Sequence, residues 1–176
     1  MRFLCWLSIL AFVQANVTST VVKSFGDGVG KYINMLKDVE GSVPPQESTN
    51  ESAQIVDRQQ QLSGLVASGR PDPHQGEIFT PEVAEQFRQI IRKAFQEPGG
   101  PAMRKTILEA DPAKPVALKV NEAYPDDHLR TTMPPTLLSR FPILPKEVAY
   151  RIVGRALVLQ GTKTNLIVDF IPNAIP

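Results

Sequence analysis

The stretch that decides the fold is Ala149–Ile171, with the sequence AYRIVGRALVLQGTKTNLIVDFI. Two runs rich in Val, Ile and Leu, Ala149–Leu159 and Asn165–Ile171, flank the more polar segment Gln160–Thr164, which contains Gly161. Aliphatic runs on both sides of a glycine-containing turn are typical of a β-hairpin. The sequence therefore predicts an antiparallel hairpin at the C-terminal end of the chain.

The charged residues of this stretch indicate how the hairpin is paired. With the turn centred on Thr162, Arg155 lies opposite Asp169, and Arg151 shares their face. This arrangement favours a cross-strand ion pair or a solubilising edge strand, with a partner-facing patch as the functional alternative. The other face then carries the residues expected in the core, namely Ile152, Ala156, Val158, Leu166, Val168 and Phe170.

Helical periodicity dominates the first half of the chain. Apolar residues predict a first helix over residues 19–39, weak or bent near Gly28, because glycine costs about 1 kcal/mol relative to alanine inside a helix. The capping box Ser48–Glu51 predicts the start of a second helix, and Gly69 followed by Pro71 predicts its end.

The third helix has the clearest pattern. Thr80 followed by Pro81 is a typical helix start, and Phe87, Ile91 and Phe95 recur on one face. Two isolated strands are only marginally stable in water, so the hairpin must pack its apolar face on another element. We expect it to pack on this stripe of the third helix.

Glycines and prolines interrupt the segment between the third helix and the hairpin. Pro101 starts a short fourth helix that ends near Glu109. Val116–Val120 alternates in the manner of a short strand, and Thr136–Arg140 is consistent with a helical turn. The predicted fold is therefore α+β, with three to four mainly N-terminal helices and a small C-terminal antiparallel sheet.

The N-terminus has the layout of a secretory signal. Arg2 supplies a positive charge, Phe3–Val13 is an apolar run, and Val13–Ala15 provides a cleavage site after Ala15. The run is shorter than the ~20 apolar residues that span a bilayer, so no stable membrane span is expected after cleavage. We therefore expect a protein exported to the periplasm or beyond, divided into a signal peptide at 1–15, a helical arm or subdomain at 16–70 and an α+β core domain at 71–176.

The composition argues against several classes of function. The chain has 19 basic and 18 acidic residues, a net charge of +1, which is too balanced for an electrostatic nucleic-acid binder. The single cysteine, Cys5, lies inside the predicted signal. A mature chain would therefore have no disulfide, no thiolate nucleophile and no thiolate metal site. We expect no cofactor.

Asp126, Asp127 and His128 form the best candidate for a metal site, because carboxylate and imidazole groups are suitable ligands. A metal ion needs more ligands than adjacent residues supply, and His74 is the only other histidine, so a solvated turn is the favoured interpretation. The chain contains neither G-x-S-x-G nor H-E-x-x-H, although catalytic residues can also assemble from distant segments. No catalytic residue is predicted.

Several motifs resemble a family of small exported bacterial proteins. They are Val148–Gln160 (VAYRIVGRALVLQ), Asn165–Ile175 (NLIVDFIPNAI), Gln75–Pro81 (QGEIFTP) and Pro134–Leu138 (PPTLL), and the resemblance covers residues 72–176. It implies export and a bacterial source, and it supplies no catalytic residue. The segment Tyr150–Ile171 is also similar to the hairpin of periplasmic nickel/cobalt-homeostasis proteins.

These features together predict an exported protein without catalytic activity. It would bind an unidentified protein partner, or it would be a structural protein of the cell envelope or the secretome. A hydrolase whose site assembles from distant residues is the first alternative. A periplasmic metal-responsive protein is the second, based on Asp126–His128 and the hairpin.

Overall fold

The computed structural model describes residues 6–44, 52–110, 117–124 and 133–176. In these ranges the helices precede an antiparallel sheet, so the α+β prediction is confirmed. The helices are α1 (Trp6–Ser42), α2 (Ser52–Gly69), α3 (Pro81–Gln96), α4 (Gly100–Glu109) and α5 (Pro135–Leu138). The strands are β1 (Val148–Val153), β2 (Ala156–Gly161) and β3 (Ile167–Ile171), in the spatial order β1-β2-β3.

The predicted helices are all present. In α3, the hydroxyl of Thr80 accepts a hydrogen bond from the backbone nitrogen of Val83 at 3.4 Å, which caps the helix as the sequence predicts. α2 ends at Gly69 as expected, whereas its predicted capping box, Ser48–Glu51, lies outside the described residues. α5 occupies the position of the predicted helical turn.

α1 is 37 residues long and contains the predicted helix 19–39. It continues through Gly28 without a break. A Cβ atom on Gly28 would lie 3.4 Å from Cγ2 of Ile78, so glycine lets the chain before α3 approach α1 closely. Within the described ranges, no helix has both the length and the apolar character needed to cross a membrane.

The sheet has three strands where the sequence predicted two. Gly154, with a φ of 56°, and Arg155 form a turn that divides the run Ala149–Leu159 into β1 and β2. Glycine adopts positive φ without steric cost, so one glycine is enough to reverse the chain inside an apolar run.

The register centred on Thr162 is wrong. Asp169 lies opposite Leu159, because the turn removes Arg155 from the strand and a bulge between Leu159 and Gln160 shifts the pairing. The expected ion pair between Arg155 and Asp169 does not form, since Nε of Arg155 donates to the carbonyl of Ile175 at 2.9 Å.

Both faces of the sheet are covered by apolar residues. On one face, the ring of Tyr150 lies 5.8 Å from that of Phe87 in α3 and 6.3 Å from that of Phe25 in α1. The opposite face packs against Tyr124. The predicted core face is therefore divided: Ile152, Leu166 and Val168 join the main core, whereas Ala156, Val158 and the half-buried Phe170 join the smaller cluster around Tyr124.

The predicted strand Val116–Val120 is not formed in its described part, residues 117–120. The chain meets the sheet just afterwards, where the backbone nitrogen of Asn121 donates to the carbonyl of Ile167 and the nitrogen of Ile167 donates to the carbonyl of Glu122, both at 2.9 Å. Asn121 has a φ of 65°, so a turn replaces the extended backbone that the alternation suggested. This segment covers the edge of the sheet beside β3.

Candidate binding cleft

A cleft of about 500 Å³ lies between α1 and the chain that joins α2 to α3. This volume falls within the range of ~300–1,000 Å³ that is typical of small-molecule sites. The α1 side of the cleft consists of Gly28, Lys31, Tyr32 and Met35. The other side consists of Gly69, Arg70, Pro71, Asp72, Pro73, Glu77 and Ile78.

Arg70 connects the cleft to the sheet. Its side chain is only 9% exposed, and its Nη1 atom donates to Oδ1 of Asn121 at 3.0 Å and to the carbonyl of Val168 at 3.2 Å. Its Nη2 atom lies 2.5 Å from Oε2 of Glu77, and its guanidinium group lies 5.9 Å from the centre of the Tyr32 ring. Contacts from four separate segments therefore fix this guanidinium group, and an ion pair balances its charge.

Tyr32 lines the cleft and is buried, with its hydroxyl group 3.3 Å from Oγ1 of Thr164. Burial raises the pKa of Tyr32 above its usual value, and the Thr164 hydrogen bond and the charge of Arg70 offset only part of this effect. The phenol is therefore neutral at physiological pH. A Cβ atom on Gly161 would lie 2.5 Å from the Tyr32 hydroxyl, so glycine is needed there for the hydroxyl to reach the β2–β3 connection.

Asp169 binds the backbone of the segment before α3, which forms one wall of the cleft. Its carboxylate is 0% exposed and accepts hydrogen bonds from the backbone nitrogens of Gly76 at 2.9 Å, Ile78 at 2.8 Å and Phe79 at 2.7 Å. Gly76 has a φ of 91°, which favours glycine. A buried carboxylate is stable only when hydrogen bonds or charges compensate its lost hydration, and these backbone donors supply that compensation. The QGEIFTP motif is thus folded around a carboxylate from β3.

The charges that line the cleft fall into two classes. Arg70 and Glu77 bind each other. Lys31 and Asp72 are exposed, and neither has an ion-pair partner among the residues that the structure describes. The cleft therefore presents a cation on α1 and an anion on the loop after α2.

The structure does not bring the sequence-predicted charges together. Arg151 in β1 is half-buried and donates from Nε to Oε1 of Gln160 at 2.9 Å, Arg155 lies in the β1–β2 turn, and Asp169 is buried behind the cleft. The candidate metal ligands Asp126, Asp127 and His128 lie outside the described residues. Over the ranges that are described, no group of three or more His, Cys, Asp or Glu side chains is arranged to hold a metal ion.

Sequence reasoning did not identify Arg70 as a site residue. Arg70 stands between Gly69 and Pro71, which indicated only the end of α2. Its partners Asn121 and Val168 are 51 and 98 residues away in the sequence, so no local spacing could reveal them. The only signal was the place of Tyr32 in the apolar stripe of α1, where a hydroxyl needs a polar partner once it is buried.

Comparisons of the chain with protein-family models, with curated proteins and with solved structures give no match.

Proposed function

We propose that the protein is exported and acts without catalysis, by binding a ligand in the cleft between α1 and residues 69–78. The observation that carries this proposal is the fixed position of Arg70, which joins α1, the α2–α3 loop and β3 around the cleft. A cleft whose walls are held by the protein's own hydrogen bonds needs little reordering when a ligand enters. Such preformed concave sites are typical of proteins that bind small molecules.

The chemistry of the cleft supports binding over catalysis. The described residues that line this cleft include no Ser, Thr, Cys or His, so they provide no hydroxyl or thiol nucleophile paired with a histidine base. Tyr32 is a poor proton acceptor, because its raised pKa keeps the hydroxyl protonated. The carboxylate of Glu77 is engaged by Arg70. These groups are suited to recognise and orient a ligand.

Export is supported by the N-terminal sequence, with its charged start, apolar run and cleavage site after Ala15. The core contacts described for α1 begin at Val21 and include Phe25 and Tyr32. Cleavage after Ala15 would therefore keep these residues in the mature chain. The resemblance of the C-terminal motifs to small exported bacterial proteins supports the same location, in the periplasm or outside the cell.

A cleft-filling variant tests this function. Gly69→Leu places a side chain beside Met35, because a Cβ on Gly69 would lie 3.7 Å from Sδ of Met35, an ordinary contact distance. Gly64→Leu is the matched control, since the same change on the same helix meets nothing within 4 Å. Leucine favours helix more than glycine does, so neither change should unfold α2.

The measurement is the shift in melting temperature with panels of sugars, nucleotides, amino acids, short peptides and fatty acids. A ligand at about 100 times its Kd stabilises the folded state by about 2.7 kcal/mol, which such a melt detects. We expect at least one class to stabilise the wild type and Gly64→Leu but not Gly69→Leu. Equal shifts in all three proteins, or no shift with any class, would contradict the proposal.

A further inference from the structure

Two charges that line the cleft are free to bind a ligand. Lys31 on α1 and Asp72 on the loop after α2 are both exposed, and no ion pair is formed by either within the described part of the chain. The other two charges, Arg70 and Glu77, neutralise each other at 2.5 Å. A ligand that matches the cleft therefore needs one anionic group and one cationic group.

Apolar groups also line the cleft. Met35 is half-buried and Ile78 is buried, and both lie along the cleft with Pro71 and Pro73. Proline side chains have little conformational freedom to lose, so they can contact a ligand at low entropic cost. The body of a matching ligand is therefore apolar.

We infer that the cleft binds short apolar peptides with free termini, with the terminal carboxylate near Lys31 and the terminal ammonium group near Asp72. A purely anionic ligand would leave Asp72 facing a like charge, and a purely cationic ligand would do the same to Lys31. Like-charge juxtaposition is unfavourable, so these two charges select against ligands that carry a single sign of charge. This inference rests on the proposed binding function and specifies the class of ligand.

The experiment pairs ligand charges with protein charges. Calorimetric titration would compare the tripeptide Ala-Leu-Ala with its N-acetylated, C-amidated and doubly blocked forms. We expect the free peptide to bind the wild type most tightly and each block to weaken binding about fivefold, the order expected for an exposed ion pair.

Variants assign each terminus to its residue. Asp72→Asn should abolish the effect of N-acetylation and keep that of amidation, and Lys31→Gln should do the reverse. The matched controls Lys37→Gln and Asp38→Asn change exposed charges of α1 that do not line the cleft, and both should behave as wild type.

The outcomes separate this inference from the proposed function. Equal affinity for all four peptides, abolished by Gly69→Leu, would overturn the role of the two charges and leave cleft binding intact. If no peptide binds but another ligand class raises the melting temperature of the wild type and not of Gly69→Leu, the peptide assignment alone would be overturned. Absence of any Gly69-dependent binding would overturn the proposed function as well.

Discussion

Oδ2 of Asp169 lies 2.8 Å from the backbone nitrogen of Ile78, a residue 91 positions earlier in the chain. The same carboxylate accepts hydrogen bonds from Gly76 and Phe79. Because Glu77 and Ile78 line the cleft, a strand near the C-terminus sets the shape of a site built mainly from the N-terminal half. The stability of the sheet and the geometry of the cleft are therefore coupled.

Replacing Asp169 with alanine should destabilise the protein by about 3–5 kcal/mol, because the buried backbone donors of residues 78 and 79 and the partly buried donor of residue 76 would lose their acceptor. Urea denaturation measures this loss as a lower midpoint. Asp38→Ala is the control, since Asp38 is exposed on α1 and its removal should change stability by less than about 0.5 kcal/mol. Similar midpoints for the two variants would show that the carboxylate does not hold the loop.

Two phenylalanines distinguish the main core from the smaller cluster. The ring of Phe87 contacts four other rings, including those of Phe141 at 4.8 Å and Phe25 at 5.2 Å. Phe87→Ala should therefore cost about 3–5 kcal/mol. Phe170 is half-buried on the other face of the sheet, so Phe170→Ala should cost about 1–2 kcal/mol. Equal costs in denaturation experiments would contradict the assignment of the two faces.

The sequence predicted the elements whose signals are local. The start of α3 depends on Thr80 and Pro81, which act within one helical turn, and its buried face follows from the spacing of Phe87, Ile91 and Phe95. The β1–β2 turn was missed because the sheet is covered on both faces. Its strands therefore lack the alternation of apolar and polar residues that would show where one strand ends and the next begins. Gly154 alone marks the chain reversal.

The candidate site was less predictable than the helices. In the sequence, Asp169 looks like a charge on an exposed strand face. No neighbouring residue indicates that its hydrogen-bond donors are backbone nitrogens of residues 76–79. The position of Lys31 and Asp72 beside one cleft depends on how α1 packs against the α2–α3 loop. Such long-range packing has no counterpart in local spacing, and this limits any prediction of the site from sequence.

The buried tyrosines predict a loss of stability in alkali. Burial raises the pKa of Tyr32 and Tyr150 above their usual value near 10. Above about pH 10 the unfolded chain releases these protons while the folded state keeps them, so stability is maintained below that pH and falls as the pH rises further. The urea midpoint should therefore stay level between about pH 8 and about pH 9 and drop as the pH rises from about 10 to about 11.5. The drop should be smaller in the double variant Tyr32→Phe/Tyr150→Phe, and an equal drop would contradict the assignment.

Export predicts a defined N-terminus. If the signal is cleaved after Ala15, Edman sequencing of the exported protein begins at Asn16. The variant Ala15→Arg places a large charged side chain at the cleavage position and should slow processing, so that the longer form accumulates. Recovery of a soluble cytoplasmic protein that still begins at Met1 would contradict export.

Deletion of residues 164–176 should unfold most of the protein. The deletion removes β3 with its carboxylate Asp169, together with Ile171 and Ile175, which are 0% exposed. Burial of each isoleucine contributes about 1.5–3 kcal/mol and the carboxylate holds one wall of the cleft, whereas total stability is only about 5–15 kcal/mol. Far-UV circular dichroism should show loss of the cooperative thermal transition. Removal of the exposed Pro176 alone is the control and should leave the transition in place. An unchanged transition in the longer deletion would mean that the helices fold without β3.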